Sequence, residues 1–173
     1  MDIGLLLIRL TVGGIIAAHG AQKLLGAFGG HGIPGTAGFL ESLGFRPGRP
    51  YAWLLGTAEA VGGLLLALGF LTPVSAAAVT GVMVTAIAVV HWQKGFFAQN
   101  GGYEFPLLLA VAAIAVAFAG PGRYSLDQAL DWQLAGGSWA VAAAALGVLV
   151  SAATAASRNH RLPYWRGRRS ATA

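Results

Sequence analysis

The chain contains no cysteine. Disulfides, thiolate catalysis, cysteine-bound zinc and cysteine-held iron–sulfur clusters are therefore excluded. Charge is nearly as scarce: 10% of the 173 residues are charged, where an average soluble domain has about 25%. There is no Gly-X-Y period behind the 26 glycines, so a collagen-like rod is excluded. The hydrophobic fraction of 56% excludes a disordered chain. What remains is an apolar, glycine- and alanine-rich sequence with mean hydropathy +0.67. That is the composition of closely packed membrane helices.

The net charge of +5 does not point to nucleic acid, because the basic residues are not spread over a soluble face. Five of the eleven lie in the last sixteen residues, within "RNHRLPYWRGRR". A basic tail beside an apolar helix marks a cytoplasmic end near anionic lipid. The lipid bilayer is thus the first expected partner.

A spanning helix needs about 20 mostly apolar residues. Five segments meet or approach this: 3–25, 52–71, 74–92, 104–119 and 137–157. The first does not read as a signal peptide, since Asp2 replaces a basic start and Arg9 interrupts the apolar run. Pro73 in "LTP" suits the start of a helix, and Pro106 is tolerated in a first turn. With the N-terminus outside, Lys23, Arg46, Arg49, Lys94 and the five tail arginines fall inside, and Arg123 falls outside beside Asp127 and Asp131. The positive-inside rule therefore predicts a multi-pass plasma-membrane protein with its N-terminus out and its C-terminus cytoplasmic. Between the first two spans, "TAGFLESLGF" places Phe39, Leu40 and Leu43 opposite Glu41 and Ser42. A short interfacial helix fits that pattern, and a flexible loop is the simpler alternative.

Polar residues inside these spans require explanation. At about 100° per residue, Arg9, Gly13, Ile16, Gly20 and Lys23 share one face of the first span, with His19 at its edge. Gly56, Glu59, Gly62, Gly63 and Leu66 share a face of the second. The predicted topology gathers His19, Lys23, Glu59, His91 and Glu104 in the cytoplasmic half of the bundle. Arg9 lies nearer the outer side, yet its long stem makes it a candidate partner of Glu59, alongside His19 and His91. Each residue also has a plainer explanation. Lys23 and Lys94 suit snorkelling at an interface, and Glu104 suits the first turn of a helix. Trp92 and its neighbours suit an aromatic belt. A haem held by His19 and His91 and a carboxylate-bridged metal site are weaker readings, and no metal site is assigned. The candidate catalytic residues are His19, Glu59 and His91; the candidate binding residues are Arg9, Lys23, Trp92 and Glu104.

The segments "RLTVGGIIAAHGAQKL", "FGGHGIPGTAGFLESLGF", "TAEAVGGLLLALGFLTP", "AIAVVHWQKGFF", "NGGYEFPLLL" and "GPGRYSLDQAL" occur in this order. In them the chain resembles the DoxX family of small integral membrane proteins. The resemblance implies an all-α fold: a transmembrane helical bundle with a four-helix core over residues 1–130. To this the chain adds a fifth transmembrane helix within 131–157 and a basic cytoplasmic tail over 158–173. The resemblance also implies a redox association, because family members are linked to thiosulfate:quinone oxidoreductase and to membrane complexes with a sulfurtransferase and superoxide dismutase. Two functions follow as expectations. One is a small membrane subunit of a quinone-linked redox system, with quinone as cofactor and electrons from a soluble redox partner protein. The other is a non-catalytic membrane scaffold or anchor for soluble redox proteins. A homo-oligomer is compatible with either.

Overall fold

The computed structural model describes residues 1–158. The tail from residue 159 onward lies outside the described residues, and so does the expectation of a basic cytoplasmic segment there, apart from Arg158. Among the described residues the chain is helical: α1 (Asp2–Leu25), α2 (Gly32–Ser42), α3 (Gly48–Leu68), α4 (Thr72–Ala86), α5 (Glu104–Ala119), α6 (Leu126–Ala129) and α7 (Gly137–Ala156). The helix of α4 continues through a wider π turn, Ile87–His91, and a tighter turn, Trp92–Lys94. Among the described residues, four helices are long and apolar enough to cross a membrane: α1, α3, α4 with its extension, and α7. Helix α5 is apolar but shorter. Its 16 residues span roughly 24 Å at 1.5 Å per residue, under the hydrocarbon core of about 30 Å.

The main pairings are α1 on α3, α4 on α7, α4 on α5 and α3 on α4. Glycine sets the closest of them. A Cβ on Gly13 would lie 2.5 Å from Gly63 O, one on Gly63 would lie 2.4 Å from Ala17 N, and one on Gly20 would lie 2.3 Å from Ala60 N. Backbones can approach this closely only where side chains are missing. Lipid supplies no hydrophobic drive between helices, so close packing does the work. These contacts also fix an antiparallel register: Arg9 faces Gly69, Gly13 faces Gly63 and Ala67, Gly20 faces Ala60, and Lys23 faces Gly56. The expected faces are buried: Arg9, Gly13, Ile16 and Gly20 on α1, and Gly56, Glu59, Gly62, Gly63 and Leu66 on α3.

Helix boundaries differ from the expected spans mainly at α3, which runs from Gly48 and stops at Leu68 rather than covering 52–71. Gly69, at φ 62°, ends it in a left-handed cap. Helix α4 then starts at once, with proline in its first turn. The expected short helix between the first two spans is α2, displaced toward the N-terminus. It buries Ile33, Thr36 and Leu40, and Phe39 is exposed, so Leu40 rather than Phe39 is its inward anchor. Four side-chain bonds hold this segment to its neighbours, one of them from Arg158 Nε to Leu43 O (2.8 Å). Thr36 Oγ1 donates to Lys23 O (3.4 Å), Gln22 Nε2 donates to Phe28 O (3.2 Å), and Glu41 Oε1 accepts from Gly48 N (2.9 Å).

Candidate functional site

Two polar centres occupy opposite ends of the bundle. The first surrounds Arg9, which is 1% exposed. Its Nη1 donates to Pro121 O, and its Nη2 donates to Tyr124 O at 2.5 Å. Beside it lies Asp127, wholly buried on the short helix α6. The Asp127 carboxylate accepts from Leu71 N (2.7 Å), Thr72 N (2.9 Å) and Thr72 Oγ1 (2.6 Å). It thereby caps the free N–H groups that begin α4, where negative charge is also favoured by the helix dipole. Asp127 N donates to Gly69 O at 2.9 Å, and Arg123 N donates to Asp2 Oδ1 at 3.1 Å. The result is a clamp that ties the loop after α5 to α1 and to the α3–α4 turn. Arg9 is a cross-link here, far from the other candidate residues.

The second centre lies where α1, α3 and α5 meet the end of α4. Lys23 Nζ donates to Glu59 Oε2 at 2.5 Å. Glu59 is buried, while the Lys23 side chain keeps 25% of its exposure. The partner of Glu59 is thus Lys23, not Arg9, His19 or His91 as the sequence led us to expect. The helix register explains the correction: Arg9 lies level with Gly69, nearly three turns from Glu59, whereas Lys23 lies beside Gly56. Lys23 is accordingly not a free snorkelling residue.

His19, Lys23, Glu59 and His91 all line one cavity of about 440 Å³. The rest of its wall is largely apolar, including Leu40 and Leu43 from the α2 segment, Met83 and Val90 from α4, and Phe105 and Leu109 from α5. His91 closes the π turn, and its Nδ1 lies 2.7 Å from Gly101 O. A carbonyl oxygen can only accept, so Nδ1 carries the hydrogen. In the neutral ring Nε2 is then left as the lone-pair nitrogen.

Trp92 and Glu104 do not line this cavity. They organise the loop beside it. Trp92 stacks on Tyr103 with ring centroids 5.4 Å apart, and Glu104 Oε1 accepts from Ala98 N at 2.7 Å. Of the five ionisable residues expected at one end of the bundle, four line the cavity, and Glu104 lies beside it, bound to its own loop. Sequence reasoning missed Asp127 and Thr72, because Asp127 reads as a surface neighbour of Arg123 in an apparently exterior loop. An acidic residue in a loop that follows a span was the only available signal. The π turn had none.

The sequence model of the DoxX family matches residues 4–92. The chain is 29% identical over 126 residues to "Putative oxidoreductase CatD" of Bacillus subtilis (strain 168), covering 73% of this chain and 86% of that protein. It is 31% identical over 134 residues to "Uncharacterized membrane protein Rv3486" of Mycobacterium tuberculosis, covering 72% of this chain and 79% of the relative. No solved structure matches.

Proposed function

From the premise that the chain belongs to the DoxX family of membrane proteins, we propose that its histidine-lined cavity binds a quinone ring in a redox system. The observation that carries this reading is the placement of His19, His91 and the Lys23–Glu59 pair on one otherwise apolar cavity. An apolar pocket with a few converging polar groups is the usual form of a small-molecule site. Ionisable residues inside a membrane protein are functional candidates by default. The printed name of the Bacillus relative, an oxidoreductase, favours redox chemistry over other uses of such a cavity.

The residues divide the work as follows. A quinone supplies two-electron chemistry, and its conversion to the quinol takes up two protons. His91 presents Nε2 as a proton acceptor and, once charged, as a donor, its ring held by the bond to Gly101 O. His19, exposed on α1 at the cavity wall, is the residue assigned to carry protons between the ring and the membrane surface. Glu59 and Lys23 supply a polar wall with no net charge, suited to a neutral ring. Electrons come from a partner protein. The positive-inside asymmetry supports placing this cavity at the cytoplasmic side, with the N-terminus out and the C-terminus in.

Photolabelling of the purified protein with an azido-quinone tests the reading. Labelled peptides from the end of α1, from α3 around Glu59, or from 87–105 are expected. Labelling confined to the lipid-facing surface of α7, uncompeted by excess quinone, would contradict it. A C-terminal reporter that is active only in the periplasm tests the orientation and is expected to stay silent. The second reading, a scaffold for soluble redox proteins, is favoured by the aromatic cluster at the same end, where Trp92, Phe96 and Phe97 are exposed. It predicts partner binding that survives His19→Ala.

A further inference from the structure

A second cavity, about 330 Å³, lies against the first. Leu40, Phe45, Leu55, Val82 and Thr85 line both, so the two spaces share a wall of five residues. The second space exists because of how α7 packs. Helices α3 and α7 each rest on α4 but make little contact with one another. The α4–α7 contact is tight at Gly81 and Gly147, where a Cβ on Gly147 would lie 2.9 Å from Thr80 Cβ. A groove is left between α3 and α7, with α4 as its floor from Val74 to Thr85, roughly 16 Å of helix at 1.5 Å per residue. Its sides are apolar: Leu54 and Ala58 on α3, and Leu146 and Val150 on α7. Leu54, Leu146 and Val150 are half exposed or more, so the groove opens sideways to the lipid.

We infer that this groove holds the isoprenoid tail of the quinone whose ring occupies the histidine-lined cavity. The inference rests on the reading given under Proposed function and extends it: the ligand is a long-tailed amphiphile that enters laterally between α3 and α7. The two spaces adjoin across five common side chains, so a ligand with its ring in the first has the second within reach of its tail. A phospholipid is the competing occupant: Lys23 is paired with Glu59, while Arg158 lies over the Phe45 ring and donates to Leu43 O, both residues of the head-cavity wall. Helix α7, the outer side of the groove, lies beyond the residues 4–92 matched by the family model.

The test compares two ligands on the purified full chain in detergent: a benzoquinone carrying two isoprene units, and the same ring without a tail. The wild type is expected to bind the tailed ligand at least tenfold more tightly. Val150→Trp and Leu54→Trp fill the groove from positions open to lipid; each is expected to abolish that advantage and leave the affinity for the bare ring unchanged. Val148→Trp, equally exposed on α7 but outside the groove, is the control and keeps the advantage. If both ligands bind the wild type equally, or if the advantage survives both groove variants, the tail site is overturned and the ring site stands. If neither ligand binds the wild type, both readings fall. A co-purified phospholipid that the tailed quinone does not displace from the groove would also overturn the inference.

Discussion

The two polar centres of this bundle are built from similar residues and differ in what is left over after folding. At one end, both terminal nitrogens of Arg9 and both oxygens of Asp127 are engaged by carbonyls, backbone N–H groups and a hydroxyl of the protein itself, and Arg9 Nε is buried without a partner. At the other end, the Lys23–Glu59 pair keeps partial exposure, His91 has one bonded nitrogen and one free lone pair, and His19 stands at the cavity wall. A centre whose charged groups are bonded to several elements and line neither cavity holds those elements together. One with a free lone pair beside a cavity has hydrogen-bonding capacity for a ligand. In a membrane, where every polar group is costly unless satisfied, this residual capacity separates the two roles better than burial or charge does.

The largest expected effect lies at the Arg9–Asp127 end. Asp127→Ala removes three bonds from the start of α4 and the negative charge beside Arg9. Each buried donor left unsatisfied costs about 1–3 kcal/mol, so folded yield in detergent should collapse, as read by size-exclusion profile. Arg9→Lys should recover only part of what Arg9→Ala loses, because an ammonium cannot reproduce the fork that bridges two carbonyls. Equal yields for wild type and Asp127→Ala would break the contrast between the two ends.

Next come the glycines of the α1–α3 contact. Gly63→Leu forces a side chain into the backbone of Ala17 and should lower the melting temperature in detergent sharply. Overpacking costs about 1–3 kcal/mol where side chains can yield, and more is expected where only backbone can move. Gly14→Ala meets no atom within 4 Å and should be neutral or slightly stabilising through helix propensity. An unchanged melting profile for Gly63→Leu would count against the packing described.

The faces of α1 and α3 were legible because their small residues recur at helical spacing beside Arg9 and Glu59. The five helical segments were legible from apolar length alone, and the short α5 emerged with the expected bounds of 104–119. The partner of Glu59 was not legible. Choosing Lys23 over Arg9 needs the α1–α3 register, which is set by backbone approach at Gly13, Gly20 and Gly63. The partners of Arg9 were less legible still, because they are carbonyls of Pro121 and Tyr124, and carbonyls have no residue signature. For the site this means that His19, Lys23, Glu59 and His91 could be named as candidates, while Trp92 and Glu104 could not be separated from them until the loop after α4 was seen to fold on itself.

The smallest expected effect is at that loop. Glu104→Gln weakens one exposed, charge-assisted bond to Ala98 N. It should lower stability by about 1 kcal/mol or less and reduce quinone affinity only slightly, through the neighbouring Gly101–His91 contact. A loss of affinity as large as that of His91→Ala would move Glu104 into the binding machinery.

The most direct test sets His19→Ala beside Arg9→Ala, measuring for each the amount of folded protein in the membrane and the quinone affinity per folded molecule. The account predicts that His19→Ala accumulates like wild type and binds quinone at least tenfold more weakly. It predicts that Arg9→Ala accumulates poorly while its surviving folded fraction binds quinone normally. The reverse pattern, with His19→Ala failing to assemble and Arg9→Ala assembling but losing only its ligand, would contradict the division of roles between the two ends.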